Sequence, residues 1–230
     1  SSPGGGVDTA ARQLAPYLEK ELGVPLQLEN YEGGATAIGN RLIAEAEPDG
    51  YTIGMFASPH LEFTILTQDV PYTIDSFTFL ARQVFDPGVI RVRDDAPWQS
   101  FEELLEYARA NPKQVKFSVS GRTSSNFFGL KQIEQQAGVE FNIIPYDGGN
   151  EARIAVIQGE VDGTHAGVFN SQTIADGSRV LAVHYHENRW PELTDNAKTV
   201  NEIMGWNLPD TGSGYGWSAP AGLKEKYPDR

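Results

Sequence analysis

The sequence predicts a mixed α/β protein in which strand–helix pairs recur in two blocks. Three observations lead there. Short apolar runs alternate with segments whose apolar residues return at helical spacing, as in βα units. The pattern of the first fifty residues recurs after residue 100. Gly- or Ser-rich turns around Gly4 to Asp8, Gly33 to Thr36, Gly121 to Asn126 and Gly148 to Asn150 each precede a helical pattern.

The chain opens on Gly4-Gly5-Gly6, then places Val7, Ala11, Leu14, Leu18 and Leu22 on one face of an amphipathic helix that stops near Gly23. Val24, Leu26 and Leu28 alternate with Pro25, Gln27 and Glu29, which predicts a half-buried strand. The turn Asn30 to Gly39 follows, with Ile38, Leu42, Ile43 and Ala46 on the next helix. Glu47-Pro48-Asp49-Gly50 is a turn signal, and Tyr51 to Phe56 reads as a buried strand, completing an expected pair of parallel βα units. Residues 57 to 95 are harder to assign.

Phe77 to Ala81 and Val89 to Arg93 are two β-like runs around Asp86-Pro87-Gly88, where the chain is expected to leave one sheet and join another. Ser100 and Glu103 have capping-box spacing, and Phe101, Leu104, Leu105 and Ala108 line the helix behind them. A strand at Val115 to Val119 then delivers Ser120-Gly121-Arg122-Thr123-Ser124-Ser125-Asn126 to a helix carrying Phe127, Leu130, Ile133 and Ala137. Phe141 to Ile144 likewise delivers Tyr146-Asp147-Gly148-Gly149 to a helix carrying Ala152, Ala155, Val156 and Ile157. Strands are expected at Gly163 to Phe169, Val180 to Val183 and Tyr215 to Pro220, with a short helix near Thr199 to Met204.

Composition narrows the function. A chain of 230 residues suits one large or two small domains. No apolar run approaches the roughly 20 residues that span a bilayer, and no basic-apolar leader opens the chain. A net charge of −13 argues against nucleic acid, since no basic stripe offsets phosphate repulsion, and favours a soluble monomer. The absence of cysteine removes thiol catalysis, Cys-based zinc sites and disulfides. No nucleotide-binding G-x-x-x-x-G-K-[ST] loop and no G-x-S-x-G elbow is present. His184 and His186 lack a third metal ligand at useful spacing and read as surface histidines, with His60 and His165 isolated. No metal or cofactor is expected.

In parallel α/β sheets, strand-to-helix turns lie at the carboxyl ends of the strands, where ligands bind. Two facing blocks would aim four helix N-termini at one cleft, and free amides with the helix dipole favour an anion there. Arg122 stands inside one turn, where it is either a carboxylate partner or a surface arginine.

These stretches resemble the Bug family, the extracytoplasmic receptors of tripartite tricarboxylate transporters. The resemblance rests on Gly4-Gly5-Gly6-Val7-Asp8-Thr9-Ala10-Ala11-Arg12, Leu22-Gly23-Val24-Pro25, the Asn30 to Gly39 turn, and Pro48-Asp49-Gly50-Tyr51-Thr52. It continues through Gly121-Arg122-Thr123-Ser124, Tyr146-Asp147-Gly148-Gly149, Gly159-Glu160-Val161-Asp162 and Leu181-Ala182-Val183. It implies a two-lobe periplasmic-binding-protein fold of the Venus flytrap, type II-like kind, each lobe a mixed, mainly parallel sheet flanked by helices. Lobe 1 would hold residues 1–87 and 207–230 and lobe 2 residues 88–206, with a strand expected before Ser1 and helices after Arg230.

The implied activity is capture of a small di- or tricarboxylate and delivery to membrane permease subunits, with no catalysis. Alternatives are a receptor of the same fold that feeds a sensor, or an enzyme acting on a small carboxylate. Family members hold ligands largely through backbone amides, hydroxyls and ordered water. The residues carried over are Gly5, Asp8, Gly34, Thr36, Arg122, Thr123, Ser124 and Gly149. Gly5 and Gly34 would offer N–H groups, Thr36, Thr123 and Ser124 hydroxyls, and Arg122 a charge, while Asp8 orients its loop. Glu32, Ala35, Thr36, Thr123 and Phe127 depart from the family pattern. Phe127 and Phe128 suggest a more apolar or aromatic carboxylate.

Overall fold

A computed structural model describes residues 2–228. The chain divides into two units, Ser1–Phe85 with Gly214–Arg230, and Asp86–Ser213. The second boundary lies later than the expected 206/207 because the intervening segment is bonded to the second unit. Asn201 holds both backbone groups of Leu208 (2.9 and 3.0 Å), and the Thr211 amide donates to the His184 carbonyl at 3.1 Å.

In the first unit, α1 (Gly6–Leu22) ends on Gly23 in the left-handed conformation, as the glycine predicts. Its buried face is rotated from the expected leucine stripe: Ala10, Ala11 and Ala15 are buried, whereas Leu22 is exposed. Small side chains let the helix lie close to Ala57 and Tyr215. The strand expected at Val24 to Leu28 does not form. That segment has no ladder partner among the described residues, and the Leu26 amide donates instead to Glu19 Oε1 at 2.7 Å. A one-turn 3-10 helix, Gly34–Thr36, leads into α2 (Ala37–Ala44), which buries Ile43 but exposes Ile38 and Leu42.

β1 (Gly54–Ser58) begins three residues later than expected, with Tyr51 93% exposed ahead of it. It pairs antiparallel with the chain's last strand, Gly54 opposite Ser218, so the expected parallel arrangement is absent here. Periodicity marks a strand but cannot name its partner. α3 (His60–Thr67) fills the stretch that the sequence left unassigned.

The two β-like runs form one strand, β2 (Phe77–Arg93), which begins in the first unit and ends in the second. Pro87 is tolerated in mid-strand because β2 changes neighbours there. The Pro87 carbonyl accepts from Val168, and the next amide, Gly88, donates to Thr211.

The second unit follows the sequence closely. α4 (Phe101–Ala110) is capped by Ser100 Oγ, which accepts from the Glu103 amide at 3.2 Å. The returning Glu103 carboxylate takes the Gln99 amide at 2.7 Å. β3 (Lys116–Val119), α5 (Ser125–Ala137), β4 (Asn142–Pro145), α6 (Gly149–Ile157) and β5 (Gly163–Gly167) come next, then β6 (Ser178–His184) and α7 (Val200–Met204). β3 runs parallel to β4 and β5, while β2 pairs antiparallel with β5 and β6. Ile90, Val92, Phe117 and Val119 of the sheet pack with Leu104, Leu105, Leu130 and Ile133 of α4 and α5. Val89 turns the other way into a smaller cluster with Val168, Val180 and Val183. β2 is therefore buried on both faces, although its neighbours in this sheet are antiparallel. β7 (Gly212–Pro220) returns the chain to the first unit, and α8 (Leu223–Lys226) follows it. Among the described residues no helix is long and apolar enough to cross a membrane.

Candidate functional site

In the second unit, β3 delivers the chain into the turn that starts α5. Gly121, at φ 110°, makes the bend. Ser124 is the N-cap: its Oγ accepts from the Phe127 amide at 3.1 Å and donates to the Gly121 carbonyl at 2.8 Å. The Ser124 hydroxyl, expected to offer its proton to a ligand, thus spends that proton inside the turn. Thr123 is different. It is 6% exposed, and its Oγ1 reaches no hydrogen-bond partner. The amides of Ser125 and Asn126, in the first turn of α5, have no intrahelical acceptor. Arg122 lies exposed on the rim of the turn.

The start of α6 lies beside this turn. Its N-cap, Gly148, has no side chain with which to cap the helix. A Cβ on Gly149 would stand 3.8 Å from Ser120 Cβ and 3.1 Å from Arg153 Nη1. Arg153 is only 4% exposed and donates from Nε to Thr173 Oγ1 at 2.9 Å. Sequence reasoning missed this guanidinium because an arginine on a helix reads as solvent-facing. Its spacing did carry a signal: four residues after Gly149 on a helix, a side chain tilts back toward the N-terminus. Arg153 also acts on Asp86, whose carboxyl burial pushes up to about 6 against the pull of the Phe169 and Asn170 amides, the Asn170 side chain and the Arg153 charge.

In the first unit, Gly5 is the N-cap of α1. Asp8 accepts from the Gly4 amide at 2.9 Å and from Arg12 Nε at 3.0 Å. Burial pushes its carboxyl up, but the bonds from Arg12, Gly4 and Asn30 outweigh this and hold it below the ordinary carboxylate value. Arg12 in turn donates to Asn30 Oδ1 at 3.1 Å, which ties α1 to the approach of the Gly33–Thr36 turn. Gly34 is exposed at φ 60°. Thr36 takes φ 81°, an unfavourable conformation for a β-branched residue. Its Oγ1 accepts from Asn40 at 3.2 Å, which leaves the hydroxyl proton available.

His60, which sequence reasoning set aside as isolated, is the first residue of α3, buried, with Nδ1 lacking a partner. Burial lowers its pKa to about 4. His165 and His184 are likewise neither isolated nor on the surface: they are buried and bonded to each other at 3.2 Å. His186 is exposed, as expected, and bonds Asp210 at 2.6 Å. Among the described residues no group of three or more His, Cys, Asp or Glu is placed to hold a metal.

The second unit thus sets Gly149 against Ser120, which opens the turn that holds Thr123 and Ser124, and the first joins Gly5 and Asp8 to the approach of the turn that holds Gly34 and Thr36. The fold is shared with solved periplasmic binding proteins. The chain is similar to the periplasmic binding protein BugD, with a TM-score of 0.86 and 28% identity over 96% of this chain and 74% of that one. A Rhodopseudomonas palustris protein solved with adipate gives 0.89 and 25% over 96% and 75%. The family described as "Tripartite tricarboxylate transporter family receptor" matches residues 10–226, and the chain belongs to it. Among curated relatives, a UPF0065 protein of Bordetella pertussis is 30% identical over 74% of this chain and 53% of its own length. Protein BugT of the same organism is 28% identical over 69% and 50%. The chain spans about half the length of these two relatives.

Proposed function

We propose that the chain forms the ligand-binding part of an extracytoplasmic, periplasmic receptor. It captures a small organic carboxylate and delivers it to the permease subunits of a tripartite tricarboxylate-type transporter. The observation that carries this reading is the pair of adjacent helix N-termini in the second unit, with the buried, unpartnered Thr123 hydroxyl on one and the Arg153 guanidinium folded against the other. Such a site holds an anion by local dipoles and donors even on a chain with a net charge of −13.

Arg122, Thr123, Ser124 and Gly149 belong to this part of the site, with Ser124 acting as the cap that holds the turn. In the first unit, Gly5 and Gly34 would offer amides and Thr36 a hydroxyl to a ligand, with Asp8 fixing its loop. Family membership and the adipate bound by the R. palustris neighbour support a dicarboxylate. Phe127 packs on the second unit's core, so its ring serves that core first. The role is capture and release, without turnover.

A thermal-shift screen over di- and tricarboxylates, aromatic acids and acidic amino acids tests the proposal. A ligand at 100 times its Kd stabilises by about 2.7 kcal/mol, and Thr123→Val should reduce that shift. No shift with any carboxylate, or turnover of one, would overturn the reading.

A further inference from the structure

His165 and His184 have no place in the proposed ligand contacts, yet each is only 1% exposed. On the sheet they lie diagonally across β2, His165 opposite Ile90 and His184 opposite Gly88. Two glycines make the slot for His165. A Cβ on Gly88 would come within 2.6 Å of the ring's Cε1, and one on Gly129 within 2.6 Å of Nε2. The ring is therefore held on one side by β2 and on the other by α5.

The hydrogen bonds form a directed chain. Ser120 Oγ donates to Asn126 Oδ1 at 3.2 Å, which turns Asn126 Nδ2 toward His165 Nδ1 at 3.1 Å. An amide nitrogen can only donate, so His165 Nδ1 is unprotonated and the ring's proton sits on Nε2. That proton faces His184 Nδ1 at 3.2 Å and Thr211 Oγ1 at 3.3 Å. Thr211 spends its own proton on the His184 carbonyl at 3.0 Å, so it too can only accept. His184 is thus fixed with its proton on Nε2. A second proton on either ring would set two donors against each other, at Asn126 or between the rings.

We infer that His165 and His184 are positioning residues for the Ser120–Asn126 turn. The neutral, tautomer-fixed pair holds Asn126, and through it Ser120, in the arrangement that presents the start of α5 to an anion. The same pair reaches Thr211, and Ser125 Oγ lies 2.9 Å from Ser213 Oγ, so the turn is anchored to the segment that leaves the second unit. Burial disfavours charge on both rings, and the His184 ring disfavours it further on His165. Among neighbouring charges Asp210 acts the opposite way on His184. Asp86, on β2, is engaged by Phe169 and Asn170 instead.

The functional meaning of this role rests on the carboxylate-receptor reading, but the positioning itself does not. Imidazole 15N NMR of the full chain should find both rings as the Nε2–H tautomer and neutral at pH 5.5. In His184→Leu the amide signals of Ser120, Thr123, Ser124 and Asn126 should move, and His184→Asn, which restores an acceptor near the position of Nδ1, should return them. With adipate as the probe, His184→Leu should weaken binding about tenfold and His184→Asn much less. A proton on His165 Nδ1, a charged ring at pH 5.5, or unmoved turn signals in His184→Leu would overturn the inference. If His184→Leu does not fold, the tautomer measurement on the unaltered chain still decides. Correct tautomers and a moved turn without any carboxylate binding would sink the receptor reading and leave the positioning role standing.

Discussion

The two units bury their apolar residues to very different degrees. The second is organised around one continuous core that joins β2 and β3 to α4, α5 and α7, and few of its large apolar side chains are exposed. Among the described residues, the first has two small clusters, Ile43 with Leu61, Tyr72 and Phe77, and Ala10 with Ala57 and Tyr215. It leaves Tyr17, Leu22, Val24, Tyr51 and Leu66 exposed. Because burial of apolar surface is the main force opposing chain entropy, stability within the second unit should be local and strong, and within the first diffuse. The better-defined candidate turns lie on the stronger unit, where a rigid core can fix a turn to the precision that anion binding needs.

Breaking the core of the second unit should have the largest effect. Phe117 is fully buried and meets Phe141 edge to face at 5.0 Å. Phe117→Ala should cost about 3–5 kcal/mol in denaturant unfolding. A loss below about 1 kcal/mol would mean that the core is not the source of this unit's stability.

Acid sharpens the comparison. His60 in the first unit and His165 and His184 in the second have native pKa values below the ordinary 6.5, so the unfolded chain binds more protons as the pH falls below that value. Stability must therefore fall as pH drops from about 6.5 toward 4, by about 1.4 kcal/mol per pH unit for each unbalanced proton. Asp86, raised to about 6, has the opposite sign: its native form takes up a proton below about 6 and gains stability there. Three imidazoles outweigh one carboxyl, so urea midpoints should fall between pH 6.5 and 4.5. His60→Phe should remove the first unit's share alone. A flat profile would show that these rings are not buried as described.

The smallest effect should come from the exposed apolar surface. Leu66 is 78% exposed, and Leu66→Ser should change stability by no more than about 0.5 kcal/mol. A loss of 2 kcal/mol or more would mean that Leu66 is buried by something in solution.

The same contrast decides what could be read from sequence. Elements of the second unit were legible because each helix packs on strands adjacent in the chain, so apolar spacing and the Ser100 cap state the outcome locally. In the first unit, β1 finds its partner 164 residues away at Ser218, and no local pattern encodes that pairing. Val24 to Leu28 alternates like a strand, yet without a partner alternation alone makes none. Glycines announced the turns ahead of the helices because backbone conformation depends on residue type. Arg153, His165 and His184 stayed hidden because burial of a polar side chain depends on partners that distant segments supply.

The central claim is that the paired starts of α5 and α6 bind a carboxylate. Its most direct test is a titration of the 15N-labelled chain with adipate, followed by amide shifts. The account predicts saturable shifts that include Thr123, Ser125, Asn126 and Gly149. Saturable binding that leaves these four amides unmoved would contradict it.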